Sequence, residues 1–245
     1  MAEQTVSCDI EQHAVLFGLL AREAMTLCPD TGLEAVRAGV REYGRQRGGR
    51  MARRCRENGD TLSPVNYQAY NERSSRPGQM QSVPAEKLPE FVIHVKKCAW
   101  VDAWKKHGLL DYGKYYCLDI DKSLTRGFSG DSYEVQIGGW LSWGDPYCDM
   151  RWGFPMDEEN ERYIAEKRGS LGDGAIRGYD FHTGDMFSVI AARLVEQLGE
   201  DGRKAAVNAL REFEKRYTAE HIRCFQRACP LSPAAQAAVD AVLKS

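Results

Sequence analysis

A long helix studded with glycine is the feature that most restricts how this chain can fold. Thr31 and Glu34 form a capping-box pattern that opens it, and Asn58-Gly59 closes it. Gly39, Gly44 and Gly48 lie inside that span. Each costs helix stability relative to alanine, so each is expected to be offset by close packing against another element. A second helix precedes it: Asp9 with Gln12 marks its start, and Ala14, Phe17, Leu20, Ala21, Ala24 and Met25 recur at helical spacing up to Cys28-Pro29-Asp30. Residues 60–89, rich in Pro, Ser, Asn and Gln, read as a long loop.

Beyond residue 89 the periodicity changes. Phe91–Lys96 alternates as a strand, Cys98–His107 reads as a helix with Trp100, Val101 and Trp104 on its apolar face, and a further helix runs from Asp111 to about Thr125 before Gly127. Tyr133–Ile137 and Tyr147–Trp152 alternate as strands. Trp140-Leu141-Ser142-Trp143 stands between them, ahead of the turn signal Gly144-Asp145-Pro146. Residues 155–180 read as loop with one short helix. Helices follow around Phe187–Leu198, Ala205–Tyr217 and Ala234–Leu243. The expectation is an α+β fold: a helical N-terminal part (1–59), a loop (60–89) and an α+β part (90–245), in one domain overall. Its N-terminal and C-terminal helices are expected to pack on a small, mainly antiparallel sheet.

Charge and composition narrow the function. Thirty-three basic against thirty-five acidic residues leave a net charge of -2, so no global field draws the chain onto nucleic acid or an anionic membrane. No apolar run approaches the ~20 residues that span a bilayer. Met1-Ala2-Glu3-Gln4-Thr5 lacks a basic region leading into an apolar one, so no signal peptide is expected. A cytoplasmic protein acting on a small molecule is the expectation, and a homo-oligomer is compatible with it. Eight cysteines stand out: Cys8, Cys28, Cys55, Cys98, Cys117, Cys148, Cys224 and Cys229. None forms a CxxC pair, and disulfide-dense domains are usually small and exported, so reduced thiols are expected.

Several residues could carry chemistry. Cys98 follows a strand and opens a helix, where the N-terminal field favours thiolate. Cys117 and Asp121 are four apart and share a helix face. Cys148 shares a strand face with Met150 and Trp152, while Asp149 and Arg151 point the other way. For any one of these cysteines alone, a buried inert thiol is the commoner case. His182 and Asp185, three apart at a helix start, can be a general base with its orienting carboxylate; a plain helix cap with a half-exposed imidazole fits as well. His94 alternates outward with Lys96 and reads as solvated. The arginines from Arg41 to Arg56, Arg45 and Arg50 among them, can hold an anion, although such runs more often form a solvated face, here paired with acidic loops such as Asp157-Glu158-Glu159. Trp140 and Trp143 can line a pocket, with core packing as the commoner role.

Taken in order, these segments resemble the L-2-amino-thiazoline-4-carboxylic acid hydrolase family. The likeness rests on Val95-Lys96-Lys97-Cys98-Ala99-Trp100, on Leu110-Asp111-Tyr112-Gly113, on Tyr116-Cys117 through Asp119 and Asp121 to Gly127-Phe128, and on Gly144-Asp145-Pro146-Tyr147-Cys148-Asp149-Met150-Arg151. It extends over most of residues 35–220, with Met150 where the family commonly has Phe. The resemblance implies a bacterial-type cytoplasmic hydrolase that opens a cyclic isothiourea or related heterocycle at a C–N or C–S bond. Its matching positions are Cys98, Cys117, Cys148, Asp149 and His182.

Three mechanisms follow. In the first a thiolate, with Cys148 preferred on its rigid strand and Cys117 second, attacks the amidine-like carbon, His182 shuttles protons, and an arginine such as Arg45 or Arg50 holds a substrate carboxylate. No cofactor is needed. In the second, zinc held by Cys98, Cys117, Cys148 and His182 supplies a bound water as nucleophile. In the third the chain is a non-catalytic binding or sensor domain, or a pathway enzyme that uses the same fold for a different step such as a cyclisation.

Overall fold

The computed structural model describes residues 6–244; the Met1-Ala2-Glu3-Gln4-Thr5 stretch lies outside them. The helices are α1 (Ile10–Leu27), α2 (Gly32–Glu57), α3 (Pro64–Tyr70), α4 (Ala99–Lys106), α5 (Leu110–Ser129), α6 (Glu158–Leu171), α7 (Tyr179–Leu198), α8 (Glu200–Arg216), α9 (Ala219–Ala228) and α10 (Pro233–Leu243). Four strands, β1 (Met80–Glu86), β2 (Val92–Cys98), β3 (Gln136–Ile137) and β4 (Cys148–Arg151), form one sheet in the order β1-β2-β4-β3 with every pairing antiparallel. This is the α+β class the periodicity implies. No helix among the described residues is long and apolar enough to cross a membrane.

The chain gathers into two compact units. The first comprises the residues up to Tyr43, Asp102–Tyr116 and those from Gly178 onward; the second comprises Gly44–Val101 and Cys117–Arg177.

In the first unit α1 is the core element. The Gln12 side chain accepts the Asp9 N–H at 2.9 Å, completing the expected capping box, and every residue from His13 to Ala21 is buried. Helices α7 and α8 pack on α1, and α9 and α10 pack on α7. Trp104 is fully buried, donates its indole N–H to the Ala14 carbonyl at 2.8 Å, and lies flat where a side chain at Gly113 would otherwise stand. A Cβ at Gly39 would come within 3.1 Å of the Ile190 Cα, so the first of the three glycines of α2 is packed tightly, as expected.

The second unit explains the other two. A Cβ at Gly44 would stand 2.7 Å from Ser123 Cβ, and one at Gly48 would overlap the carbonyl oxygen of Leu124. On the facing helix α5, a Cβ at Gly127 would overlap the Arg45 carbonyl oxygen. Helices α2 and α5 therefore cross backbone to backbone at these glycines. Tyr67 from α3 stacks on Trp152 at 5.6 Å and 30° and meets Phe128 of α5 edge-on. Phe91 and Phe154 pair beside the sheet.

Several expectations need correcting. Residues 60–89 are not loop throughout, for they hold α3 and β1. Ser63 caps α3, accepting the Asn66 N–H at 3.2 Å, with Pro64 in the first turn; this is a helix-start signature despite the polar composition. Strand β1 is almost wholly exposed and carries Pro84, so it has no apolar alternation and exists by pairing with β2. The short helix expected in 155–180 is the 14-residue α6, which buries no side chain and so leaves no periodic stripe. Helix α9 was not expected. The strand expected over 133–137 shrinks to β3, because Ser129 Oγ captures the Tyr133 N–H at 3.0 Å and holds that end in a turn. Cys98 ends β2 instead of opening α4.

Candidate functional site

Three of the eight thiols, all of them free, meet in the second unit, and each arrives on a different element. Cys98 is the last residue of β2, Cys117 lies on α5, and Cys148 begins β4 opposite Val95 of β2. One turn beyond Cys117, on the same face of α5, stands Asp121. The four side chains lie close enough that negative charge on one raises the pKa of another: Cys117 feels Cys98, Cys148 and Asp121, and Cys148 feels Cys98 and Asp121. All four residues retain some solvent-accessible surface although dense protein desolvates them. The four therefore border solvent instead of filling a dry core.

Each thiol has its own surroundings. The Cys98 sulfur faces the backbone N–H groups of Trp100 and Val101 at the start of α4. The Ser142 hydroxyl lies near the Cys117 thiol, and the Trp140 indole N–H donates to the Cys117 carbonyl at 3.2 Å. The Leu141 N–H donates to the Cys148 sulfur at 3.3 Å. The short 3-10 turn Leu141–Trp143 thus serves two of the three cysteines.

Burial sets the protonation states. It pushes the Cys117 thiol well above its usual value and the Cys148 thiol up to about 11. Burial also raises Cys98, and its two amides and the Arg73 guanidinium oppose that rise without reversing it. Of the three, Cys98 is therefore the thiol with the most support for its anion. Asp121 is raised by burial and lowered by Arg73 and then Arg47, so the carboxyl group is held between two opposing influences.

Tyr67 and the arginines complete the site. Tyr67 is only 2% exposed, and its hydroxyl lies within electrostatic reach of Asp121, Arg47 and Arg73. Among the described residues no group is placed to hydrogen-bond that hydroxyl. The buried Glu72 carboxylate takes Arg47 at 3.3 Å and Arg50 at 3.1 Å on one oxygen. Arg73 lies over the Trp100 ring, 5.2 Å from its centroid.

The other expected site residues fall elsewhere. Asp149 sits opposite His94 on the sheet face away from Cys148, with its Oδ1 3.6 Å from His94 Nε2 and its Oδ2 3.2 Å from Arg151 Nε. His94 is not solvated as expected: it is half-buried and stacks on Tyr147 at 3.8 Å. Arg45 pairs through both guanidinium nitrogens with Asp131, and Arg50 is engaged by Glu72. The arginine run does not face Asp157-Glu158-Glu159; Arg54 instead donates to the Ala175 and Tyr70 carbonyls. Trp143 is 45% exposed. His182 and Asp185 are both buried on α7, in the first unit, where His182 contacts the rings of Tyr179 and Phe181 and is not half-exposed. Among the described residues no group of three or more His, Cys, Asp or Glu side chains is arranged to hold a metal ion.

The residues missed from sequence are Tyr67, Arg73, Trp100 and Ser142. The first two lie in the stretch that reads as loop, and the cap at Ser63-Pro64 was the available signal for Tyr67. Trp100 was assigned to an apolar face, yet its backbone faces Cys98 and its ring faces Arg73.

No curated protein and no solved structure matches the chain. A family model does match, over residues 9–152. The match starts earlier and stops sooner than residues 35–220, so it takes in α1 and all three cysteine segments and leaves His182 outside. Spanning more than half of the 245 residues, it shows that this chain belongs to the L-2-amino-thiazoline-4-carboxylic acid hydrolase family.

Proposed function

We propose that the protein hydrolyses a small cyclic isothiourea carboxylate of the 2-amino-thiazoline class, opening the ring at a C–N or C–S bond, with Cys98 as nucleophile. The family is named for a hydrolase of a thiazoline carboxylic acid, which supports the reaction class. The observation that carries the reading is the meeting of three thiols with one carboxyl group, Asp121, beside Arg47 and Arg73.

The chemistry follows from what each group can do. Asp121, pulled both ways by burial and by guanidinium, is suited to take a proton and return it. It accepts the Cys98 proton as the sulfur bonds to the amidine-like ring carbon. It then returns that proton to whichever ring heteroatom departs. Water attacks the same carbon next, and Cys98 leaves as the thiol, so the product carries one added water. Tyr67 donates its hydroxyl hydrogen to the charge that develops on the substrate. Cys117 and Cys148, held protonated by burial, shape the pocket and exclude water without competing as nucleophiles. Strand rigidity alone favours Cys148; the amides and the cation beside Cys98 move the choice. His182 has no part in this scheme.

The test is incubation of purified protein with L-2-amino-thiazoline-4-carboxylic acid, following by mass spectrometry a product heavier by one water. Turnover by the wild type and its loss in folded Cys98→Ser support the reading. Full turnover in Cys98→Ser removes Cys98 as the nucleophile, and no turnover by the wild type removes the substrate class.

A further inference from the structure

The geometry points to Arg73, laid on the ring of Trp100, as the anchor for the substrate carboxylate; this rests on the hydrolase reading above and names how the substrate is oriented. Arg45 and Arg50, the arginines the sequence offers for this task, are committed to Asp131 and Glu72. Arg47 also spends its Nε on Glu72. Arg73 differs from them in every respect. It lies in the connection between α3 and β1, its side chain is exposed, and no carboxylate of the described residues lies within ion-pair distance. What holds it is Trp100, whose ring faces the guanidinium. A guanidinium held over a ring face keeps its N–H groups available, which suits bidentate capture of a carboxylate.

Its position relative to the thiol is built into the chain. Trp100 presents its backbone N–H to the Cys98 sulfur and its ring to Arg73, so one residue sets both the nucleophile and the cation. Arg73 is near enough to influence Cys98, Asp121 and Tyr67, placing it at the same site. A carboxylate held by Arg73 orients the ring carbon toward Cys98.

The experiment measures binding without turnover, in the full chain carrying Cys98→Ala. Two probes are titrated calorimetrically: L-2-amino-thiazoline-4-carboxylic acid, and 2-amino-2-thiazoline, which lacks the carboxylate. Adding Arg73→Gln should weaken the carboxylate probe about 10- to 100-fold and leave the neutral probe within about twofold. Arg73→Lys should fall between, since it keeps the charge and loses the fork. Equal loss of both probes marks a structural role and overturns the proposal, as does unchanged affinity for the carboxylate. If Arg73→Gln leaves both KM and kcat unaltered in a protein that turns the carboxylate over, this inference alone fails. If the unsubstituted protein neither binds nor hydrolyses the carboxylate, the hydrolase reading fails with it.

Discussion

Gly48 and Gly49 are neighbours on α2, and replacing each by alanine should move stability in opposite directions. Both substitutions gain about 1 kcal/mol of helix propensity. At Gly49 nothing lies within 4 Å of the added methyl group, so that gain is kept whole. At Gly48 the methyl group would overlap the Leu124 carbonyl oxygen and stand 2.5 Å from the Phe128 nitrogen. Both are backbone atoms of α5, so relief requires the helix itself to move. Overpacking of this kind costs about 1–3 kcal/mol, so the net loss runs from near zero to about 2 kcal/mol, and resistance by two backbone atoms places it at the upper end. For a chain of this length each kcal/mol corresponds to about 2–4 °C in Tm. Gly49→Ala should therefore melt a few degrees above the wild type, and Gly48→Ala about as far or further below it. Moving α5 also displaces Cys117 and Asp121, so Gly48→Ala should lose activity while Gly49→Ala keeps it. Thermal melts followed by circular dichroism, with turnover assays at a temperature where both variants are folded, read the two effects. A Gly48→Ala variant as stable and active as Gly49→Ala would refute the backbone contact between α2 and α5.

Other predictions concern buried charge and the site. Glu72→Gln removes the buried carboxylate that Arg47 and Arg50 share and should lower stability by about 1–3 kcal/mol in urea denaturation; no loss would mean the cluster is solvated. Asp121 has a folded-state pKa above its unfolded value, so its contribution to stability is full below the unfolded pKa and is lost as pH rises through the folded one. Asp121→Asn should therefore match the wild type at low pH, gain on it above the carboxylate range and abolish turnover, and urea midpoints that stay parallel across that range would contradict the burial. Tyr67→Phe, which removes one hydroxyl donor, should lower kcat about 100-fold with KM little changed; unaltered kcat would place the hydroxyl outside the reaction. Cys148, with its thiol pushed up to about 11, should resist iodoacetamide at neutral pH in the folded protein, and rapid labelling there, mapped by peptide mass, would count against its protonated role.

How much of this was legible depended on the kind of signal each residue leaves. Gly39, Gly44 and Gly48 of α2 were readable because a helix keeps glycine at a cost, and at these positions that cost points to a close neighbour, found as Ile190, Ser123 and Leu124. The capping box at Asp9 and the α5 pairing of Cys117 with Asp121 were readable because helical spacing alone sets them. Helix α6 was opaque since it buries nothing, and β1 because its only reason to be extended is the strand beside it. The site divided along the same line. Cys98, Cys117 and Cys148 could be named one by one, but their meeting depends on a sheet register and a helix crossing that spacing does not encode. Arg73 and Tyr67 were lost with the stretch that composition marked as loop. His182 and Asp185 keep the spacing read from the sequence and lie buried on α7, in the first unit.

The most direct test of the account is turnover of L-2-amino-thiazoline-4-carboxylic acid by the wild type and by Cys98→Ser, Cys117→Ser and Cys148→Ser, each first shown to be folded by circular dichroism. The account predicts a hydrated, ring-opened product from the wild type, no detectable product from Cys98→Ser, and reduced but measurable turnover from the other two. Full activity in Cys98→Ser, or a wild type that leaves the ring intact, would contradict it.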